Sequence, residues 1–195
     1  MRHWILVGCV LSCAAAAFAQ VGEISVSGGG ARFGGGSSGT ETTGPGAAPI
    51  TVGGGFRLDI RLTLNTYRFF GHEFGYGYTR STYHLPVSGD VNVPQHQGYY
   101  DFLVYPIPEG KRIRPFATGG VGFASFFPPG ASAYYGNQIT KFGINYGGGI
   151  KARVSSIIGV RFDIRQYNTG HPFQFPNQSG RLLQTAYTGG VAFIF

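Results

Sequence analysis

Apolar and charged residues alternate one for one through several stretches of this sequence. In Phe56-Arg57-Leu58-Asp59-Ile60-Arg61-Leu62 one set reads Phe, Leu, Ile, Leu and the other Arg, Asp, Arg. A helix would mix these sets around its circumference, whereas an extended strand sends them to opposite faces. From Ile158 to Arg165 the pattern recurs, with Ile158, Val160, Phe162 and Ile164 set against Gly159, Arg161, Asp163 and Arg165. Lys141 to Arg153 repeats it, placing Phe142, Ile144, Tyr146 and Ile150 opposite Lys141, Asn145, Lys151 and Arg153. Weaker alternation runs through Glu23 to Ser27, Phe70 to Tyr78, Tyr99 to Val104 and Leu182 to Phe195, and a glycine-rich stretch spans Arg114 to Phe127.

These segments predict eight strands, near 22–33, 50–63, 69–83, 96–105, 113–127, 139–153, 157–168 and 182–195. The connections at 34–49, 84–95, 128–138 and 169–181 are long, and those at 64–68, 106–112 and 154–156 are short. An up-and-down barrel in an outer membrane has this asymmetry, with long loops outside and short turns on the periplasmic side. With the first connection long and the strand count even, both ends of the mature chain fall on the periplasmic side.

Composition agrees. Charged residues make up 12% of the chain, about half the share usual in a soluble domain. The 15% of aromatics argues against disorder. After Gln20 no apolar run approaches the roughly 20 residues of a membrane helix, so a membrane-spanning chain would have to cross as strands.

The first residues read as an export signal, 1–19. Arg2 and His3 give a basic start, Trp4 to Val10 is apolar, and Ala17-Phe18-Ala19 supplies small residues for cleavage before Gln20. The competing reading is lipoprotein processing at Cys9 or Cys13. Both cysteines precede the expected cleavage point, so the domain at 20–195 has neither a disulfide nor a cysteine metal site.

If the apolar faces meet lipid, then Arg57, Asp59, Arg61, Glu73, Asp101, Lys151, Arg161, Asp163 and Arg165 all enter the lumen as one charge network. An eight-stranded barrel has room inside for packed side chains but not for a channel. Unpaired charge there would be costly, whereas paired charge is tolerated. Tight turns would bring Gly71 and Gly75 beside Arg61 and Arg57, and Gly147 and Gly149 beside Asp163 and Arg161. A soluble secreted barrel, with the apolar faces inward, is the alternative. Aromatic girdles are expected at both interfaces: Tyr67, Phe69, Phe70, Tyr105, Phe193 and Phe195 on the periplasmic rim, and Tyr78, Tyr83, Tyr99, Tyr100, Phe126, Phe127 and Tyr167 on the outer one.

Little else points to chemistry. A formal charge of +7 would suit a nucleic-acid or other anionic partner, but many basic residues are assigned to the lumen, so no nucleic acid is expected. Lys111, Arg112 and Arg114 fall at a periplasmic turn, solvated or against anionic headgroups. The glycine runs lack the strand-to-helix setting of a phosphate loop. His84, His96 and His171 have no ligand spacing, so neither metal nor cofactor is expected. Ser81, His84 and Asp90 are a weak trace of a catalytic set at the outer face.

Phe70 to Tyr78, Arg114-Pro115-Phe116 through Gly122, Phe142 to Arg153 followed by Ile157 to Tyr167, and the closing Gly189 to Phe195 resemble the OmpA/OmpX-type outer-membrane barrel-domain family. The resemblance covers essentially the whole mature chain. It implies an all-β, eight-stranded antiparallel up-and-down transmembrane β-barrel in the outer membrane, in contact with outer-membrane lipid. It also implies that Phe195 is read by the barrel-assembly machinery through the C-terminal strand. No peptidoglycan-binding domain follows the barrel, so a cell-wall link is not implied. The expected role is non-enzymatic, structural or surface-interacting, with an unknown extracellular ligand at the loops. A narrow solute pore and a lipid-modifying enzyme are the other readings.

Overall fold

A computed structural model describes residues 21–43, 46–129 and 137–195. The export signal, the start at Gln20 and both cysteines lie outside the described residues. The chain forms β1 (Val21–Gly35), β2 (Thr40–Thr43), β3 (Gly46–Pro49), β4 (Thr51–Tyr67), β5 (Phe70–Leu85), β6 (Gly89–Val104), β7 (Ile113–Phe126), β8 (Ile139–Arg153), β9 (Ile158–Thr169) and β10 (Leu182–Ile194). Eight of these close into an antiparallel barrel, in which β1 pairs with both β4 and β10. β2 and β3 form a separate hairpin within the first loop. Closure leaves no strand edge, the condition for a sheet surrounded by lipid. The seam ends at the periplasmic rim, where Gly22 and Phe195 exchange two backbone hydrogen bonds of 2.9 Å.

The expected loop at 84–95 is instead strand. β5 and β6 continue to a tight turn at 86–88, with His84 opposite Asp90 and Leu85 opposite Gly89. Alternation carries on through Val91, Val93 and Gln95, which the breakers Pro86, Gly89 and Pro94 mask in the sequence. Pro94 is tolerated because the β6–β7 ladder begins only at Gln95, so its missing N–H takes nothing from that ladder. The other three outer connections are long.

Two registers also differ from expectation. Tyr67 pairs with Phe70, which places Arg61 opposite Gly75, Asp59 opposite Gly77 and Arg57 opposite Thr79. Gly147 and Gly149 face Arg165 and Asp163. The first shift follows from a turn reduced to residues 68–69, and the second from a turn one residue longer than assumed, 154–157.

Facing follows residue parity. Phe56, Leu58, Ile60, Phe74, Phe142, Phe162 and Val191 are exposed around the outside, while the alternate residues are buried. Parity also corrects the girdles: Tyr83, Tyr99, Tyr105, Phe126 and Tyr167 point into the barrel. At the periplasmic rim Phe69, Phe70, Phe193 and Phe195 are exposed. Towards the outer end, Tyr78 and Phe127 pack on His96. The Tyr67 side chain lies outside the described part of the structure.

The outer loops hold one another. Glu41 of β2 accepts from the N–H groups of Val87 at 2.7 Å and Ser88 at 3.3 Å, and from the Ser88 hydroxyl. Those bonds, the Ser88 hydroxyl foremost, hold its carboxyl below the usual carboxylate range. The first loop meets the fourth where the Thr40 N–H donates to the Pro176 carbonyl at 2.8 Å and the Ser179 N–H to the Ser37 carbonyl at 3.1 Å.

Gly119 and Gly120 test the facing in adjacent residues. A Cβ at Gly120 would lie 2.0 Å from the Tyr100 carbonyl and 2.2 Å from Asp101 Oδ1, whereas one at Gly119 meets nothing nearer than 3.9 Å. Gly120→Ala should therefore lower stability by about 1–3 kcal/mol through overpacking. Gly119→Ala should stay near wild type in the same urea unfolding of the refolded barrel.

Candidate functional site in the barrel lumen

β4 and β9 carry the same five-residue pattern, Arg57-x-Asp59-x-Arg61 and Arg161-x-Asp163-x-Arg165. On a strand these three residues share a face, and here that face is the lumen. Arg57 grips Asp59 with two bonds, Nε to Oδ2 at 2.9 Å and Nη2 to Oδ1 at 2.8 Å. Arg161 grips Asp163 the same way, at 2.8 and 2.9 Å. Paired forks of this kind are the strong form of charge-assisted hydrogen bond.

Cross-lumen contacts join the two patterns. Glu73 of β5 accepts from Arg161 Nη1 at 2.8 Å, Arg165 Nη2 at 2.6 Å and the Thr63 hydroxyl at 2.8 Å. Asp101 of β6 accepts from Arg165. Arg61 lies 3.2 Å from Asp59, 3.6 Å from Asp163 and 3.7 Å from Glu73. Nearer the periplasmic end, Lys151 Nζ donates to Glu23 at 2.6 Å and to the Tyr105 hydroxyl at 3.0 Å. All nine residues expected in the lumen are buried, eight of them in this lattice and Lys151 in a separate pair with Glu23. Glu23 was read from the sequence as an acid on that face.

The lumen charges balance. Arg57, Arg61, Arg161, Arg165 and Lys151 meet Asp59, Glu73, Asp101, Asp163 and Glu23, five charges of each sign. The sequence holds 15 basic and eight acidic residues, so ten basic and three acidic ones remain outside this layer. The +7 excess therefore lies elsewhere, which corrects the expectation that the lumen absorbs it.

Neutral groups complete the layer, and most were not singled out in the sequence. Arg61 donates to the Tyr99 hydroxyl at 2.8 Å, Ser27 at 3.0 Å and Thr188 at 3.2 Å. Arg57 donates to Thr79 at 3.1 Å and to Gln97, and its guanidinium lies 4.5 Å from the centre of the Tyr167 ring. Parity alone marks Ser27, Thr63, Thr79, Gln97 and Tyr99, and the expected girdle role concealed Tyr99 and Tyr167. Above this layer Ile50, Tyr83, Val93, Ala124, Phe126 and Leu182 form an apolar cluster, against which Phe173 and Phe175 of the fourth loop pack.

The other candidate residues do not assemble. Ser81 donates to the Val93 carbonyl at 3.1 Å on the inner face, while His84 contacts Asp90 at 2.7 Å on the outer one. His96 meets Tyr76, and His171 lies 3.2 Å from the Ser179 carbonyl. Among the described residues no three metal-ligating side chains gather.

Residues 5–195 match the family described as outer membrane protein beta-barrel domain. No curated protein matches the sequence. Among solved structures, Neisserial surface protein A is similar with a TM-score of 0.61 at 10% identity, over 89% of this chain and 97% of that one. OprG from Pseudomonas aeruginosa gives 0.60 at 13% identity, over 90% and 97%. The outer membrane protein AlkL, solved in lipid bilayers, gives 0.57 at 16% identity, over 89% and 90%. At such identities these likenesses speak for the fold alone.

Glu73 and Phe74 share a strand and a depth but not a face. Glu73→Leu should cost about 3–5 kcal/mol, the usual penalty for leaving a buried partner unpaired. Phe74→Leu, half-exposed on the apolar side, should cost far less. Urea unfolding in detergent or lipid measures both, and a larger loss for Phe74→Leu would reverse the assignment of faces.

Proposed function

We infer that this chain, which belongs to the outer membrane protein beta-barrel domain family, works as a non-enzymatic surface scaffold. Its barrel is a closed plug, and its clasped outer loops meet an extracellular ligand. The observation that carries the reading is the filled lumen. Four arginines there are at most 1% exposed, and an apolar cluster with Phe173 and Phe175 lies above them. A side-chain lattice of that kind leaves a solute to break ion pairs in order to pass, at a cost of several kcal/mol.

The separate faces of Ser81 and His84 give a hydrolytic nucleophile no base, which favours the non-enzymatic reading. Assembly would proceed through recognition of β10 and the exposed Phe195 beside the β1–β10 seam. Export would use the segment at 1–19.

Planar-bilayer recording separates the scaffold from a narrow pore. The refolded barrel should show no steady open level in salt. Simultaneous Arg57→Ala and Arg61→Ala should create leak events, because they take away two of the buried side chains that fill the lumen. Steady unitary conductance of the unmodified protein would favour the pore.

A further inference from the structure

With the lumen neutral, the excess positive charge has to act at the rims, and it is densest at the periplasmic one. Arg68, Lys111, Arg112, Arg114 and Arg153 lie there, with Glu109 as the acid of the turns. Lys111, Arg112, Arg114, Lys151 and Arg153 line a small cavity of about 30 Å³ at the mouth of the barrel, together with one acid, Glu23. That space suits a small oxyanion group rather than a whole metabolite, since a single water needs roughly 10–15 Å³ on the same measure.

The cations of this cavity are not equally engaged. Lys151 is neutralised by Glu23 at 2.6 Å, and Arg114 stands 4.0 Å from Glu109 and stacks 3.8 Å over the Tyr105 ring. Lys111, Arg112 and Arg153 form no ion pair among the described residues. Arg112 and Arg153 are joined through the backbone. The Arg153 N–H donates to the Arg112 carbonyl at 2.7 Å, and the Glu109 N–H ties the same turn to the Arg68 carbonyl at 3.1 Å. Arg112 and Arg153 are therefore neighbours across one backbone hydrogen bond, both side chains are without an ion pair among the described residues, and guanidinium forks fit phosphate oxygens in pairs.

What lies beside the cavity identifies the source of the phosphate. Ile113, Val154, Ile157 and Phe193 are exposed on the outer surface at the same end of the barrel. Apolar side chains outside and unpaired cations at the rim match a phospholipid, whose acyl chains lie against the strands and whose headgroup lies at the interface. We propose that Arg112, Arg153 and Lys111 form a binding site for the phosphate of an anionic phospholipid headgroup in the periplasmic leaflet. The site rests on the outer-membrane orientation but not on the scaffold reading, so a conducting barrel would leave it intact.

The test is native mass spectrometry of the full barrel, released from vesicles of phosphatidylglycerol and phosphatidylcholine in equal amounts. The unmodified protein should retain phosphatidylglycerol several-fold over phosphatidylcholine. Combined Arg112→Gln and Arg153→Gln should bring that preference close to one, while Arg80→Gln at the outer end should leave it unchanged. Unchanged heat-dependent migration of each variant in detergent controls for folding. Preference that survives the double substitution, or falls equally with Arg80→Gln, overturns the site. Displacement of the lipid by inorganic phosphate alone overturns the lipid as its ligand.

Discussion

A closed eight-stranded sheet has an interior too narrow for water-filled space and too enclosed for unpaired charge. Placing four arginines in it obliges the chain to place four acids within reach, and that requirement organises this molecule. Each Arg-x-Asp pair is satisfied within one strand, at positions two apart. Glu73 and Asp101 then bind Arg165 from across the lumen, so distant strands share one lattice. Such a lattice forms only when the barrel has closed in the correct register. A slip of one residue would turn every charge to lipid and every apolar side chain inward.

The same lattice accounts for residues that carry no charge. Gly77 lies where a Cβ would stand 2.4 Å from an Arg57 nitrogen, and Gly75 where it would meet the Tyr99 ring at 2.1 Å. Small residues sit opposite long ones because the lumen has a fixed volume. Tyr99 and Tyr105 point inward because their hydroxyls accept from Arg61 and Lys151. Charge balance inside also decides what happens outside. Since five basic and five acidic residues cancel within the lumen, the remaining cations fall to the loops and rims, where lipid and solvent are the available partners.

Much of this was legible in the sequence. A period of two separates apolar from charged residues in Phe56 to Leu62 and in Ile158 to Arg165, and it fixed both strand type and facing there. Hence all nine charged lumen residues lie where alternation placed them. Register was harder, because it depends on turn length. One turn tightened around Arg68 and Phe69 moved Arg61 from Gly71 to Gly75. The β5–β6 extension was hidden by Pro94, which reads as a breaker unless the start of the neighbouring ladder is known. Tyr99 and Tyr167 read as interfacial residues by type, whereas parity decides the face and places both inside the barrel. The loop clasp at Glu41 had no local signal, since Glu41 and Ser88 lie in different loops and meet only because β4 pairs with β5.

The central claim is that the arginine side chains of β4 and β9 are locked inside a neutral lattice. Each Nε–H there has an acceptor: Arg57 and Arg161 donate to their own aspartates, Arg61 to Tyr99 at 2.8 Å, and Arg165 to Asp163 at 3.4 Å. Solution NMR of the barrel in detergent can follow these four protons individually. The account predicts four resolved Nε–H signals that exchange slowly with water near neutral pH and show no contact to the detergent acyl chains. The exposed Arg32 and Arg80 should exchange rapidly under the same conditions. Rapid exchange of the four lumen signals, or contacts from them to acyl chains, would contradict it.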